Sequence, residues 1–339
     1  MGLIVKKLKL NVMKKIFFLL LAISVIGCSK VEETVNPDTQ NPVDVYIAGI
    51  KNNNAAYWKN NEEFLLSGGE NAQADTICVS NNNVHVLGKK YSDIWRTEYL
   101  YWKNGNLTNL NLAFNTPAQH VRFITDMEVV GDDVYIVGYT KNPLIAAEIY
   151  ELGYWKNGIK TVLDNAINNP SFRAKIKVVN NTVYVIGNTS NCFNSCHGIY
   201  VNGFFQSVSV GILLKGLTVK DNQAYIYGTN TSTNTVYYKN MATGIETTLT
   251  TFPLVYKLQF DNNNTYLSDG VNIFKNNVQI YTSSWFSFFL DFVALNDNVY
   301  ILKREGDFGT FDALYINEVN VFQIFIDQGK FNTITVIQN

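Results

Sequence analysis

Tyr154-Trp155-Lys156-Asn157-Gly158 recurs along the chain, as Tyr101-Trp102-Lys103-Asn104-Gly105 and as Tyr57-Trp58-Lys59-Asn60. Weaker copies follow at Tyr200-Val201-Asn202-Gly203, Tyr238-Lys239-Asn240, Phe274-Lys275-Asn276 and Tyr315-Ile316-Asn317. Upstream of each copy lies a short apolar run that mostly ends in glycine. Val45-Tyr46-Ile47-Ala48-Gly49 is the first, and later runs begin at 84, 134, 183, 224, 265 and 299. Before most of these runs stands another strand and a turn, such as Ile176-Lys177-Val178-Val179 followed by Asn180-Asn181. Asn and Asp tolerate positive φ, so these pairs predict tight hairpins. Asn-Gly between two β-prone runs predicts another hairpin, leading into a fourth strand such as Leu107 to Leu112.

Each unit therefore reads as a four-stranded antiparallel meander, with strands A (Ile-x-Val), B (Val-Tyr-x-x-Gly), C (Tyr-Trp-Lys) and D. Such units at a period of this order predict a β-propeller. Seven B runs predict seven blades. The first unit lacks an A strand, and Asn332 to Asn339 reads as an A strand without a following B strand. The C-terminus is therefore expected to complete blade one and close the ring, covering edges that would otherwise be open. Strand C alternates its faces, so Tyr154 and Trp155 are expected to fill the spaces between blades. The glycine ending the B strands is expected to let a neighbouring blade or loop come close.

Composition agrees with one folded all-β body. Of 339 residues, 47% are hydrophobic and 16% charged, which argues against disorder. The formal net charge of −1 gives no electrostatic case for nucleic acid.

The N-terminus reads as a targeting segment. Met13-Lys14-Lys15 opens a basic region, and Ile16 to Ile26 is an apolar run too short to span a bilayer. Val25-Ile26-Gly27-Cys28-Ser29 resembles a bacterial lipobox, which implies acylation at Cys28. The expected organisation is a lipoprotein signal peptide over 1–28 with Met13 as its start, a polar tether over 29–42, and the propeller over 43–339. Lys30, Glu32 and Glu33 resemble the acidic export signals of surface lipoproteins in Bacteroidetes. The implied location is the cell envelope, on the outer membrane, facing the periplasm or the exterior.

Val183-Tyr184-Val185-Ile186-Gly187 resembles the second strand of a kelch repeat, with one glycine where kelch carries two. Ala55-Ala56-Tyr57-Trp58-Lys59-Asn60 and Ala74-Asp75-Thr76-Ile77 resemble HAF-type extracellular repeats. Those run Ala-x-x-Ile, Val-x-Gly, then Ala-x-x-Trp-x-x-Gly. This resemblance implies an exported propeller and supplies no catalytic residues.

Binding residues are expected in the B–C and D–A loops, which are longer than the A–B and C–D turns. The candidates are Trp95, Arg96, Glu98, His120, Arg122, Arg173, His197, Trp285 and Arg304. Aromatics beside Arg and Glu suit a glycan or protein ligand. Cys192 and Cys196 suggest a disulfide pinning one loop; reduced thiols, or a metal site with His197, are the alternatives. Cys78 is expected to be a buried small apolar residue. No phosphate loop, nucleophile elbow or zinc helix is present, and no cofactor or metal is expected. The expected function is a monomeric, lipid-anchored binding or scaffolding module. A glycan hydrolase or lyase and an outer-membrane assembly factor are the rivals. A hydrolase would need two convergent carboxylates, with Glu98, Glu148, Asp164, Glu305 and Asp307 available.

Overall fold

The computed structural model describes residues 43–339 apart from 94–95, 115–120, 146, 169, 172, 191–196, 210, 250–253, 285–286 and 307–308. Its strands form seven four-stranded antiparallel sheets. Blade 1 holds β1 (Val43–Lys51), β2 (Asn54–Lys59) and β3 (Glu62–Glu70), and blade 2 holds β4 (Ala72–Ser80), β5 (Asn83–Asp93), β6 (Arg96–Lys103) and β7 (Asn106–Asn109). Blade 3 comprises β8 (Val121–Val130), β9 (Asp133–Lys141), β10 (Tyr150–Lys156) and β11 (Ile159–Ile167). In blade 4 these are β12 (Lys175–Val179), β13 (Thr182–Asn188), β14 (His197–Val201) and β15 (Phe204–Gln206). Blade 5 contains β16 (Ile212–Lys220), β17 (Gln223–Asn230), β18 (Thr235–Asn240) and β19 (Glu246–Leu249). Blade 6 follows as β20 (Lys257–Asp261), β21 (Asn264–Ser268), β22 (Asn272–Lys275) and β23 (Val278–Thr282). Blade 7 is β24 (Phe288–Leu295), β25 (Asn298–Glu305), β26 (Phe311–Ile316) and β27 (Val319–Phe325). The last strand, β28 (Gly329–Gln338), pairs with β1 from Val43↔Gln338 to Lys51↔Gly329 and gives blade 1 its A strand. The seven A strands touch in sequence around the ring, so it closes on a central channel.

Seven apolar clusters occupy the seven spaces between adjacent blades. Trp58, Trp102 and Trp155 are buried, and each faces the preceding blade. Trp58 meets Phe331 edge-on at 5.1 Å, and the Trp102 indole donates to the Ser67 carbonyl at 2.8 Å. Trp155 stacks on Phe114 at 4.5 Å. Tyr57, Tyr101 and Tyr154 lie on the opposite face of the same strands and pack toward the following blade. In blades 1, 2 and 3 the Tyr-Trp pair thus joins the blade to both neighbours.

The asparagine of the phrase has a separate task. Asn60, Asn104, Asn157, Asn202, Asn276 and Asn317 all have φ between 46° and 50°. Their Oδ1 atoms accept the backbone N–H of Val45, Val84, Val134, Val183, Thr265 and Val299 at 2.8–2.9 Å. Their own N–H groups donate back to the carbonyls of those residues. One side chain therefore ends strand C and holds the start of strand B. Asn fits because it enters the left-handed region and carries an acceptor.

Three expectations are corrected. Strand D of blade 2 stops at Asn109, and Leu110–Phe114 forms a short helix, α1, that buries Leu110 and Phe114. Blade 1 has no long loops, since Asn52–Asn53 joins β1 to β2 and Asn71 alone joins β3 to β4. The glycine ending strand B, in blades 1, 2, 3 and 5, makes room for a bulge in its own A strand rather than for another blade. A Cβ on Gly49, Gly88, Gly138 or Gly228 would sit 2.0–2.2 Å from the carbonyl oxygen of Lys330, Gln73, Phe123 or Leu213. The ladder shifts by one residue at each of these points. Gly187 alone follows the original expectation, with Leu152 of blade 3 as the close neighbour.

Candidate functional site

The bulges carry the consequence for function. A bulge inserts an unpaired residue and re-aims its side chain. Apart from Arg122, at a second shift nearer the start of β8, the inserted residues are Asp75, Thr125, Lys215, Leu290 and Asn332. Each lines the central channel, of about 1170 Å³, or the adjoining cavity of about 620 Å³ over blades 2 and 3. The two spaces share Asp75, Thr76, Arg173, Lys175 and Asn332, and meet at the loop face of the ring.

Below the bulges, alternate A-strand residues face the channel. Asp126 and Glu128 stand on β8, Lys175 and Lys177 on β12, and Lys257 on β20. These groups bridge neighbouring blades. Lys177 pairs with Glu128 at 2.5 Å, Lys175 with Asp126 at 3.7 Å, and Lys257 with Asp291 at 2.6 Å. Burial opposes the Lys177 ammonium, but the Glu128 carboxylate more than offsets it and holds the pKa above the usual lysine value. Asp291 also accepts Thr333 Oγ1 at 2.7 Å and the Ile334 N–H at 3.2 Å, which ties blade 7 to the closing strand. Asp75 is held by Lys89 at 3.1 Å. Cys78 also lines the channel, where burial and then Glu128 push its thiol up to about 12, so it stays protonated at neutral pH.

Against this pattern, two channel cations have no carboxylate partner among the described residues. They are Arg173, exposed in the connection between blades 3 and 4, and Lys215, at the bulge of β16. The Lys215 ammonium lies 5.9 Å from the ring of Tyr256, which is 60% exposed. Burial, and then Lys215, lower the pKa of His197 at the start of β14, so that imidazole is neutral at physiological pH. Arg173, Lys215, Tyr256 and His197 therefore belong to blades 4 to 6.

The other candidates are dispersed. The guanidinium of Arg122 lies over the rings of Phe123 at 5.1 Å and Tyr150 at 6.0 Å, in blade 3. Glu98 accepts Asn109 Nδ2 at 3.5 Å on the outer half of blade 2. Arg304 is committed to structure, since its Nε and NH2 donate to the buried Asp312 at 2.6 and 2.9 Å. Asp312 also accepts the Phe331 N–H at 2.8 Å, so this pair anchors the closing strand. Cys28, Trp95, His120, Cys192, Cys196, Trp285, Asp307 and the side chain of Arg96 lie outside the described residues.

Of the carboxylates considered for glycan hydrolysis, Glu98, Glu148, Asp164 and Glu305 do not line the channel or the adjoining cavity. Asp164 is buried under Thr189, Ser190 and Tyr200, and Glu148 is bonded to Tyr150. Glu305 is held by Lys303 and Tyr315. Among the described residues, no three His, Cys, Asp or Glu side chains are grouped to hold a metal ion.

Lys175, Lys215 and Tyr256 were not singled out from the sequence. The available signal was charge at every second position of an A strand, as in Lys175-Ile176-Lys177 and Asp126-Met127-Glu128.

No protein-family model matches the chain, and no curated protein matches it. Solved structures do resemble it. The acylaminoacyl peptidase of Pyrococcus horikoshii is 9% identical with a TM-score of 0.51, over 82% of this chain and 49% of that one. A prolyl endopeptidase gives 10% and 0.51, over 88% of this chain and 50% of that one. The chain thus spans about half the length of these peptidases. AztD from Citrobacter koseri, without ligand, is 8% identical with a TM-score of 0.47, over 87% of this chain and 98% of that one. At these identities the likeness to the peptidases is one of fold.

Proposed function

We propose that this protein is a lipid-anchored propeller of the cell envelope that binds a glycan or a protein at the loop-face mouth of its channel. A propeller without a catalytic motif fits a binding or scaffolding module. The observation that carries the reading is the pair Arg173 and Lys215, cations without a carboxylate in a channel whose other described lysines are paired. An uncompensated guanidinium, and an ammonium beside an exposed tyrosine, suit a ligand with an acidic group and a flat face to stack. The anchor is supported by the lipobox ending at Cys28. The outer membrane is the expected location.

The test is binding of the Cys28→Ala chain to glycan and protein arrays. Binding is expected, and Arg173→Ala combined with Lys215→Ala is expected to weaken it at least tenfold. Silence on both arrays would count against the reading. Metabolic labelling with palmitate, lost in Cys28→Ala, tests the anchor.

A further inference from the structure

The face opposite the mouth carries an apolar arc. Strand D opens with Ile159 in blade 3, Phe204 in blade 4, Val278 in blade 6 and Val319 in blade 7, and in blade 5, where the C–D turn is longer, Ile245 directly precedes β19. All five are between 63% and 77% exposed. They sit at the C–D turns of five consecutive blades. Scattered exposed apolar residues need no explanation, but a repeated arc on one face marks an interaction surface. Blades 1 and 2 place Glu62 and Asn106 at this position.

The geometry points to a lipid bilayer surface as the partner of this arc. Val43 begins β1 next to the C–D turn of its blade, where the Asn60 N–H donates to the Val45 carbonyl at 2.9 Å. The chain preceding the propeller therefore joins it on the same face as the arc. Fourteen residues, 29–42, separate Cys28 from Val43, a length of chain that reaches at most about 50 Å. A tether of that length holds this face near the membrane, so weak apolar contacts act at high effective concentration.

Charge decides the kind of membrane contact. The lysines beside the arc are neutralised: Lys156 by Asp133 at 2.7 Å, Lys239 by Glu246 at 3.1 Å, and Lys275 by Asp297 at 3.0 Å. The surface has no excess of positive charge to seek anionic lipid. Shallow apolar insertion into the interface, independent of lipid charge, is what these residues support. The mouth of the channel then faces away from the membrane. This goes beyond ligand binding at the mouth and rests on the proposed anchor at Cys28.

The test uses the mature chain from residue 28, tethered by an N-terminal hexahistidine to nickel-chelating lipid in phosphatidylcholine vesicles. Amide hydrogen exchange is compared with and without vesicles. Exchange around Ile159, Phe204 and Val278 is expected to slow several-fold, with the loop around Leu144 on the other face unchanged. Changing all five arc residues to Ser is expected to remove the slowing and leave the melting temperature unchanged. Equal exchange with and without vesicles, or slowing confined to the Leu144 loop, would overturn the inference. Slowing that follows protein concentration in the absence of vesicles would reassign the arc to self-association and also overturn it. The artificial tether separates this from the anchor itself: a natural chain that takes up no palmitate defeats the anchor and leaves the exchange result standing.

Discussion

Asn157 and Val134 exchange two hydrogen bonds, one through the asparagine side chain at 2.8 Å and one through its backbone N–H at 2.9 Å. The same residue holds φ at 49° and donates through Nδ2 to Asp133 at 2.7 Å. Replacing it separates backbone from side chain. Asn157→Gly keeps the left-handed turn and loses the amide bonds, at about 1 kcal/mol each net of exchange with water. Asn157→Ala adds a left-handed strain of roughly 1–2 kcal/mol. Denaturant unfolding is expected to rank the stabilities as wild type, then Gly, then Ala.

Trp155 is nearly without solvent contact and stacks on Phe114 of the α1 segment. Trp155→Ala is expected to cost about 3–5 kcal/mol through lost burial and a cavity. Trp155→Phe, which keeps a ring against Phe114, should cost less. Thermal melting checks both, and an unchanged melting temperature in the alanine variant would remove the inter-blade role assigned to this side chain.

His85 stands where other B strands carry Tyr, with Nδ1 2.7 Å from the Tyr101 hydroxyl. Burial, and then Lys103, lower its pKa from 6.5 to about 4. The unfolded chain therefore binds a proton in this range that the folded chain does not, and stability rises with pH between about 4 and 6.5. Above 6.5 both states are neutral at this residue and its contribution is flat. In His85→Phe the loss of stability on acidification from 6.5 to 4, followed by denaturant midpoints, is expected to shrink.

Gly138 and Gly158 separate two roles of glycine. A Cβ on Gly138 would meet the Phe123 carbonyl oxygen at 2.2 Å, whereas Gly158 has φ at 85° with nothing within 4 Å. Gly158→Ala is expected to cost only the conformational strain of about 1 kcal/mol. Gly138→Ala has to displace backbone and should cost several times more or block folding. Soluble yield and unfolding midpoints of the two variants provide the comparison.

The repeat was legible because its parts are local. Tyr-Trp-Lys-Asn-Gly contains a strand and its turn within five residues, so blade number and hairpins follow from one sequence. Ring closure followed from the same arithmetic, an A strand lacking at Val45 and one left over after Asn332. The A-strand bulges were not legible, because a bulge is a register shift against a partner strand and leaves no mark in either strand alone. Lys215 and Asp75 become channel residues through that shift. The end of β7 was hidden because Leu110 and Phe114 are apolar in either structure, and only the space beside Trp155 selects the helix. Arg304 stood out as a loop cation, and its buried partner Asp312 came into view only with the pairing of β25 and β26.

The pairing of Val43 with Gln338 places the two ends of the propeller side by side. A short peptide bridge from residue 339 to residue 43 would turn the chain into a covalent circle without crossing a blade. The circle could then be reopened in the loop around Leu144, giving a permuted protein in which blade 1 is continuous. For the same reason, a reporter fused after Asn339 emerges beside the tether, on the side away from the channel mouth. A reporter meant to sense ligand belongs in a loop at the other end of the sheets.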